Sequence, residues 1–260
     1  FLDLDGTVYI GDNLIKGAKR FVDFLQQRGI VYYFLSNNSS RSKSDYVAKL
    51  AKMGIPTGVD RIILSTDGVV EWLKKEAVTD LYVVGTQSMK EMLAAAGMKV
   101  ESQRPEYVVV GYDTELTYEK IRKAALFLQK GVELIATHRD LVCPTPDGPI
   151  PDIGSLLSIF ETAMKIRPVR VFGKPSKKMV AHAMETHGVG AEEVVIVGDR
   201  VYTDMALANE VGCDFICVLS GDASREEIEG LNKMPALIVR QIGDILEKDG
   251  TSDKQNTRSG

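Results

Sequence analysis

Two aspartates stand two residues apart near the start of the chain, in Phe1-Leu2-Asp3-Leu4-Asp5-Gly6-Thr7. Side chains two apart on a strand point to one face, so Asp3 and Asp5 begin on a common side. Gly6 then lets the backbone turn closely around a ligand. Carboxylates this close repel each other unless a cation or a shared proton separates them. Magnesium suits such a pair, because its ligands are oxygens and it keeps several waters beside phosphate. An Asp-Gly turn after a strand is also an ordinary architectural device, so this segment alone does not choose between chemistry and structure.

Three more stretches place reactive groups directly after apolar runs. Phe34-Leu35-Ser36-Asn37-Asn38-Ser39-Ser40 offers hydroxyls, amides and backbone N–H groups before a helix expected to begin near Ser42, and such loops bind phosphate oxygens well. Ser and Asn are equally at home as helix caps. In Val171-Phe172-Gly173-Lys174-Pro175 a lysine sits between Gly and Pro, where it can offset charge on Asp3 and on a transferring phosphoryl group; the plainer reading is a solvated loop lysine. In Val197-Gly198-Asp199-Arg200-Val201-Tyr202-Thr203-Asp204 a strand ends in Gly-Asp and a second aspartate follows five residues later. Asp199 would complete the acidic pocket begun by Asp3, and Asp204 would orient Lys174 or a metal-bound water from behind. The plainer reading is a helix N-terminus carrying Asp for dipole reasons.

The elements that must bring these stretches together alternate short apolar runs with amphipathic ones, as parallel α/β folds do. Val31–Leu35, Val194–Val197 and Phe215–Leu219 read as strands buried on both faces. Ala18, Phe21, Val22 and Leu25 recur at helical spacing before Gly29, and Tyr46, Val47, Leu50 and Met53 before Gly54. The class is α/β, with a Rossmann-like doubly wound parallel sheet as core, and ligands of such sheets bind outside the carboxyl ends of the strands. Leu81–Val84, Tyr107–Val110 and Leu134–Ala136 read as strands of a second unit of the same class, with helices over Met89–Ala96 and Ile121–Leu128. Residues 79–168 are therefore expected to form an inserted α/β cap, residues 1–78 and 169–249 the core, and residues 250–260 a loose polar tail.

Taken jointly, Asp-x-Asp-Gly-Thr, strand-Ser-Asn-Asn, Gly-Lys-Pro and Gly-Asp-x4-Asp resemble the haloacid dehalogenase superfamily of phosphohydrolases. The stretches Phe34–Arg41 and Gly198–Asp204 are similar to its large-capped 4-nitrophenylphosphatase or NagD-like family, and the similarity extends over essentially residues 1 to 245. That branch includes nucleotide, phosphoglycolate and pyridoxal phosphate phosphatases. The resemblance implies a magnesium-dependent phosphatase acting on a small phosphorylated metabolite. Asp3 would be nucleophile and metal ligand. Asp5 would be general acid and then general base, with its backbone carbonyl also on the metal. Ser36, Asn37 and Asn38 would hold the phosphate, Lys174 would stabilise charge, and Asp199 would be the third protein ligand, supported by Asp204. After the last cap strand, His138, Arg139, Asp140 and Cys143 lie in a loop that faces the leaving group in related capped phosphatases, and they are the candidates for touching substrate. Pro151-Asp152-Ile153-Gly154-Ser155 resembles a Pro-Gly-x-Gly-Ser segment of the family but carries Asp152 where Gly is usual, which puts the local backbone there in question.

Other readings of the same fold are a phosphomutase or dehalogenase, and a receiver-type protein that keeps its phosphoryl group. Asp5 favours oxygen acid–base chemistry and rapid loss of that group; receivers are also smaller and lack a cap. Net charge is −4 over 260 residues, so nothing basic favours a nucleic-acid polymer or an anionic membrane. No apolar run approaches a membrane span and no signal peptide is visible. Three cysteines, Cys143, Cys213 and Cys217, make no zinc spacing or disulfide framework, which accords with a reducing cytoplasm. Native residues preceding Phe1 are allowed for, and a homodimer is compatible with this reading.

Overall fold

The computed structural model describes residues 1–145 and 147–248; the expected tail, 250–260, lies outside them. β1 (Leu2–Asp3) turns at Gly6 into a short hairpin, β2 (Tyr9–Ile10) and β3 (Asn13–Leu14). α1 (Ala18–Gln27) buries Ala18, Phe21, Val22 and Leu25, the stripe read from the sequence. β4 (Phe34–Ser36) leads to α2 (Lys43–Lys52), which Ser42 and Asp45 start with a reciprocal capping box. β5 (Ile62–Leu64) and α3 (Ser65–Lys75) follow.

The middle of the chain alternates β6 (Leu81–Val84), α4 (Gln87–Ala95), β7 (Tyr107–Val110), α5 (Tyr118–Gln129) and β8 (Glu133–Ala136). A loop carrying the hairpin β9 (Val142–Cys143) and β10 (Ile150–Pro151) precedes α6 (Ile153–Met164) and β11 (Arg170–Val171). The last stretch holds α7 (Lys178–His187), β12 (Val195–Gly198), a π-helical turn at Val201–Met205, α8 (Ala206–Val211), β13 (Asp214–Val218), α9 (Arg225–Glu229) and β14 (Leu237–Val239).

Two parallel sheets result, one ordered β14-β13-β12-β1-β4-β5 and one ordered β11-β8-β7-β6. In the larger sheet, Phe21, Tyr46 and Leu50 pack on one face, while Val180, Leu207 and Ala208 pack with Ile196 and Phe215 on the other. This is the doubly wound arrangement expected. Val69 and Leu73 of α3 share a core with Leu81, Val83 and Ile135 of the smaller sheet, so that helix ties the two layers together. The order of the larger sheet reverses around β1, where Leu2 is level with Val197 on one side and Phe34 on the other. The carboxyl ends of β1, β4 and β12 therefore share one edge, and they end in Asp3, Ser36 and Gly198.

The strand expected over Val31–Leu35 is shorter and later, because the ladder to β1 begins at Phe34 and Val31 is half exposed. β5 and β14 have no counterpart among the sequence-derived strands. Each is three residues long and lies at an edge of its sheet, too short to separate from a loop by periodicity. The chain leaves the smaller sheet only at Val171, since Arg170 and Val171 pair with Ile135 and Ala136. No helix among the described residues is long and apolar enough to cross a membrane.

Candidate active site

Lys174 is the centre of the site. It follows β11 and Gly173, whose φ of 76° is open to glycine and strained for other residues. A Cβ at Gly173 would also lie 2.6 Å from Asn37 Oδ1 and 2.9 Å from the Thr137 carbonyl oxygen. The buried Nζ donates to Asp3 Oδ1 and, at 2.6 Å, to Asp204 Oδ1. Burial works against the ammonium, but the two carboxylates outweigh it and hold the Lys174 pKa above its ordinary value.

Asp3, Asp199 and Asp204 are all buried, with ligand oxygens within 4.8 Å of one another. Burial, followed by the charges of Asp3 and Asp204, pushes Asp199 well above the usual carboxylate range. Burial also raises Asp204, to about 6, against the pull of Lys174. Asp204 commits both oxygens, to Lys174 and to the Arg200 N–H at 3.2 Å. Among the described residues the Asp199 carboxylate accepts only the Asp222 N–H, at 2.7 Å on Oδ2. Its Oδ1, like Asp3 Oδ2, is buried without a hydrogen-bond partner among the described residues. Three buried acids facing one ammonium, with two uncommitted oxygens and only oxygen donors, fit a hard divalent cation.

Glycine shapes this pocket at two points. Gly6 has φ 96°, and a Cβ there would come within 2.3 Å of Asp199 Oδ2; at Gly221 the same atom would be met at 1.8 Å. Ser220 adds a hydrogen bond of 2.7 Å to the Gly6 carbonyl. The backbone is therefore pressed against Asp199 from both sides. Asp5 sits at the part-buried mouth, its pKa raised by burial and drawn back by Lys49, Arg200, Lys174 and Arg41.

In the Ser36–Ser40 loop, Ser36 Oγ accepts the Asn38 N–H at 3.1 Å, which leaves its own hydrogen free to donate. Asn38 Oδ1 accepts from the Ser40 N–H at 3.0 Å and the Ser40 hydroxyl at 2.7 Å. The Asn37 side chain is fully engaged within the protein. Its Oδ1 accepts the Lys174 N–H at 2.7 Å, and its Nδ2 donates to Asp140 at 3.3 Å and to the Lys174 carbonyl at 3.4 Å. The Asn37 side chain thus fixes the lysine loop, which leaves its backbone N–H as the group by which Asn37 could hold phosphate.

Of the four candidates for touching substrate, the structure turns two inward. His138 is buried, with Nδ1 3.2 Å from Thr137 Oγ1 and Nε2 3.1 Å from Asp152 Oδ1, so both ring nitrogens have partners within the protein. Asp140 is buried between Asn37 and Arg200, whose Nη1 donates to it at 3.0 Å. Arg139 is exposed, and Cys143 is half-buried beside Tyr112, where burial pushes its thiol up to about 11. Asp152 has ordinary extended backbone (φ −114°, ψ −167°) and caps α6 by accepting the Ile153 N–H at 2.6 Å. An aspartate where glycine is usual thus serves as cap and histidine partner. Sequence reasoning gave Arg200 no role although it stands inside the Gly-Asp stretch, and Asp222 and Gly221 carry no sequence signal, because their part depends on a loop after β13 folding back onto Asp199.

Family models of haloacid dehalogenase-like hydrolases match residues 1–99 and 171–245. The chain is 29% identical over 247 residues to an acid sugar phosphatase of Staphylococcus aureus, covering 94% of this chain and 95% of that protein. A solved 4-nitrophenylphosphatase from Thermotoga maritima is similar at 35% identity over 95% of each chain, with a TM-score of 0.88. A glycerol phosphate phosphatase from Mycobacterium tuberculosis, solved in complex with magnesium, is similar at 28% identity over 93% of this chain and 74% of its own, with a TM-score of 0.83. The matches extend over nearly the whole chain, and the protein belongs to the haloacid dehalogenase-like hydrolases, in the branch of the 4-nitrophenylphosphatases and NagD-like proteins.

Proposed function

We propose that this chain is a magnesium-dependent phosphatase that hydrolyses small phosphate monoesters through a phosphoaspartate on Asp3. One observation carries the reading: Asp3 is buried with Lys174 on one oxygen, while its other oxygen is uncommitted beside Asp199. Uncatalysed monoester hydrolysis is among the slowest reactions enzymes accelerate, by up to ~10²¹-fold. Two in-line displacements through an acyl phosphate divide that barrier.

Asp3 attacks phosphorus, its bond to the phosphoryl group forms, and the ester P–O bond breaks. Asp5, whose pKa burial raises, gives its proton to the departing oxygen. In the second step Asp5, now a carboxylate, takes a proton from water as that water's oxygen bonds to phosphorus and the bond between Asp3 and phosphorus breaks. Inorganic phosphate leaves, and both aspartates return to their starting states. Lys174 balances the charge on Asp3 and on the phosphoryl oxygens, and Ser36 donates its hydroxyl hydrogen to the phosphate. Asn38 contributes its amide, and Asn37 takes part through its backbone N–H. Asp3 and Asp199, with the Asp5 main-chain carbonyl, would hold magnesium, which when bound supplies electrostatic stabilisation of the transferring group. Asp204 supports Lys174 from behind.

The α/β unit of residues 79–168 is read as a cap over this edge. A cap that closes excludes water and large substrates, so sugar, nucleotide, glycolate and pyridoxal phosphates are the classes to try, with 4-nitrophenyl phosphate as reporter. The similar proteins named for acid sugar, 4-nitrophenyl and glycerol phosphates support small esters. A cytoplasmic setting accords with the three free thiols. The test is phosphate release over that panel with magnesium and with chelator, including a phosphopeptide. Steady release from a small ester is expected; isomerised product would favour a mutase, and a long-lived phosphoprotein a receiver.

A further inference from the structure

Five buried side chains from four separate stretches close a ring around the lysine loop. Asp140 accepts from Arg200 Nη1 at 3.0 Å and from Asn37 Nδ2 at 3.3 Å on both oxygens. Asn37 Oδ1 accepts the Lys174 N–H at 2.7 Å. Lys174 Nζ donates to Asp204 Oδ1 at 2.6 Å, and Asp204 Oδ2 accepts the Arg200 N–H at 3.2 Å. Arg200 returns the ring to Asp140. Every member is at most 8% exposed.

We propose that Asp140 is a positioning residue that sets Lys174 through Asn37 and Arg200, so that seating the β8–β9 loop completes the site. The argument is one of charge and hydrogen bonds. Arg200 lies among Asp199, Asp140 and Asp222, but among the described residues Asp140 is the carboxylate its guanidinium bonds, Asp222 being 3.9 Å from an Nε without a hydrogen-bond partner there. Without Asp140, a buried guanidinium loses its carboxylate and a buried amide its carboxylate acceptor, leaving only long contacts to the Val142 carbonyl at 3.5 Å and the Lys174 carbonyl at 3.4 Å, which costs far more than losing a surface pair would. Both groups would shift to recover partners, and both hold the loop or the aspartate that orients Lys174. The two oxygens of Asp140 are already committed inside the protein, so it acts on the chemistry from a distance. Reading the consequence in catalysis rests on the phosphatase assignment above; reading it in the backbone does not.

The experiment compares Asp140→Ala, Asp140→Asn, Asn37→Ala and the Asp140→Ala/Asn37→Ala double variant with wild type, using Leu141→Ala as an exposed control on the same loop. Amide hydrogen exchange is followed in peptides covering 36–40 and 173–176, alongside kcat and KM for 4-nitrophenyl phosphate with magnesium. Asp140→Ala is expected to speed exchange in both peptides about tenfold or more. It should lower kcat about 10- to 100-fold while KM changes less than about threefold, as misplaced catalytic groups do. The double variant should be about as slow as the slower single one, since the ring is broken once. Asp140→Asn, which keeps an acceptor for Asn37 and loses the charge for Arg200, should fall between, and it carries the exchange test should the alanine variant fail to fold. Unchanged exchange, multiplicative losses, or a rise in KM alone would overturn the proposal. Altered exchange in a protein whose wild type releases no phosphate would keep the ring and defeat the phosphatase reading.

Discussion

Asp3 Oδ2 and Asp199 Oδ1 are both buried without a hydrogen-bond partner among the described residues, although the two residues lie at the ends of the neighbouring parallel strands β1 and β12 and present ligand oxygens within 4.8 Å of each other. Buried carboxylates in that state destabilise the fold unless a cation joins them. Magnesium is therefore expected to raise the melting temperature, with a gain of about 2.7 kcal/mol at a hundred times its Kd. Asp199→Asn should abolish most of that gain. A melting temperature indifferent to magnesium and to chelator would argue against a cation here.

The same acids set a pH dependence. Burial raises Asp204 from the ordinary 3.8 to about 6 and pushes Asp199 up as well. A carboxyl whose folded pKa lies above its unfolded one binds protons more tightly when folded, so its contribution is complete below the unfolded pKa and is lost as pH rises through the folded one. In chelator, stability should fall as pH climbs from about 4 to 6, and magnesium should flatten that fall. Thermal unfolding across this range, with and without the ion, decides it.

Asp3→Asn and Asp5→Asn separate nucleophile from acid. The first should bring turnover to background with the fold intact, because the amide cannot form the acyl phosphate. The second should lower kcat by roughly 10²- to 10⁴-fold, the usual worth of a positioned proton donor. Turnover retained by Asp3→Asn would exclude the covalent route.

Lys49 is the cation that most opposes the burial-driven rise of the Asp5 pKa, and its Nζ lies 3.6 Å from the centroid of the Tyr9 ring. Removing its charge as Lys49→Gln should let the Asp5 pKa climb. The acid then stays protonated to higher pH, so the alkaline limb of the kcat profile should move upward. A downward shift would show that Lys49 does not act on Asp5.

Gly6→Ala should leave a folded protein with a damaged site. The positive φ costs of order 1–3 kcal/mol for a non-glycine residue, and the new Cβ would lie 2.3 Å from Asp199 Oδ2. Both stability and magnesium affinity are expected to drop; Gly29→Ala, whose Cβ meets nothing within 4 Å, is the comparison for strain alone. Equal magnesium affinity in the two variants would disprove the crowding of Asp199.

The reactive segments and the class of fold were legible in the chain itself. Each of Asp3, Ser36 and Asp199 stands at the end of an apolar run, and a parallel sheet must place such ends on one edge, while helical stripes such as Phe21, Val22 and Leu25 declare the layer that covers it. Local pattern also fixed α2, whose Ser42 and Asp45 cap each other within one turn. Contact across the chain decided the rest. Whether Asn37 faces a phosphate or a lysine loop 137 residues away, whether His138 meets a substrate or Asp152, and whether Arg200 closes on Asp140 are questions of side-chain direction between elements that no spacing encodes. The edge strands β5 and β14 were hidden for the same reason: three apolar residues become a strand only when a neighbour offers its hydrogen bonds.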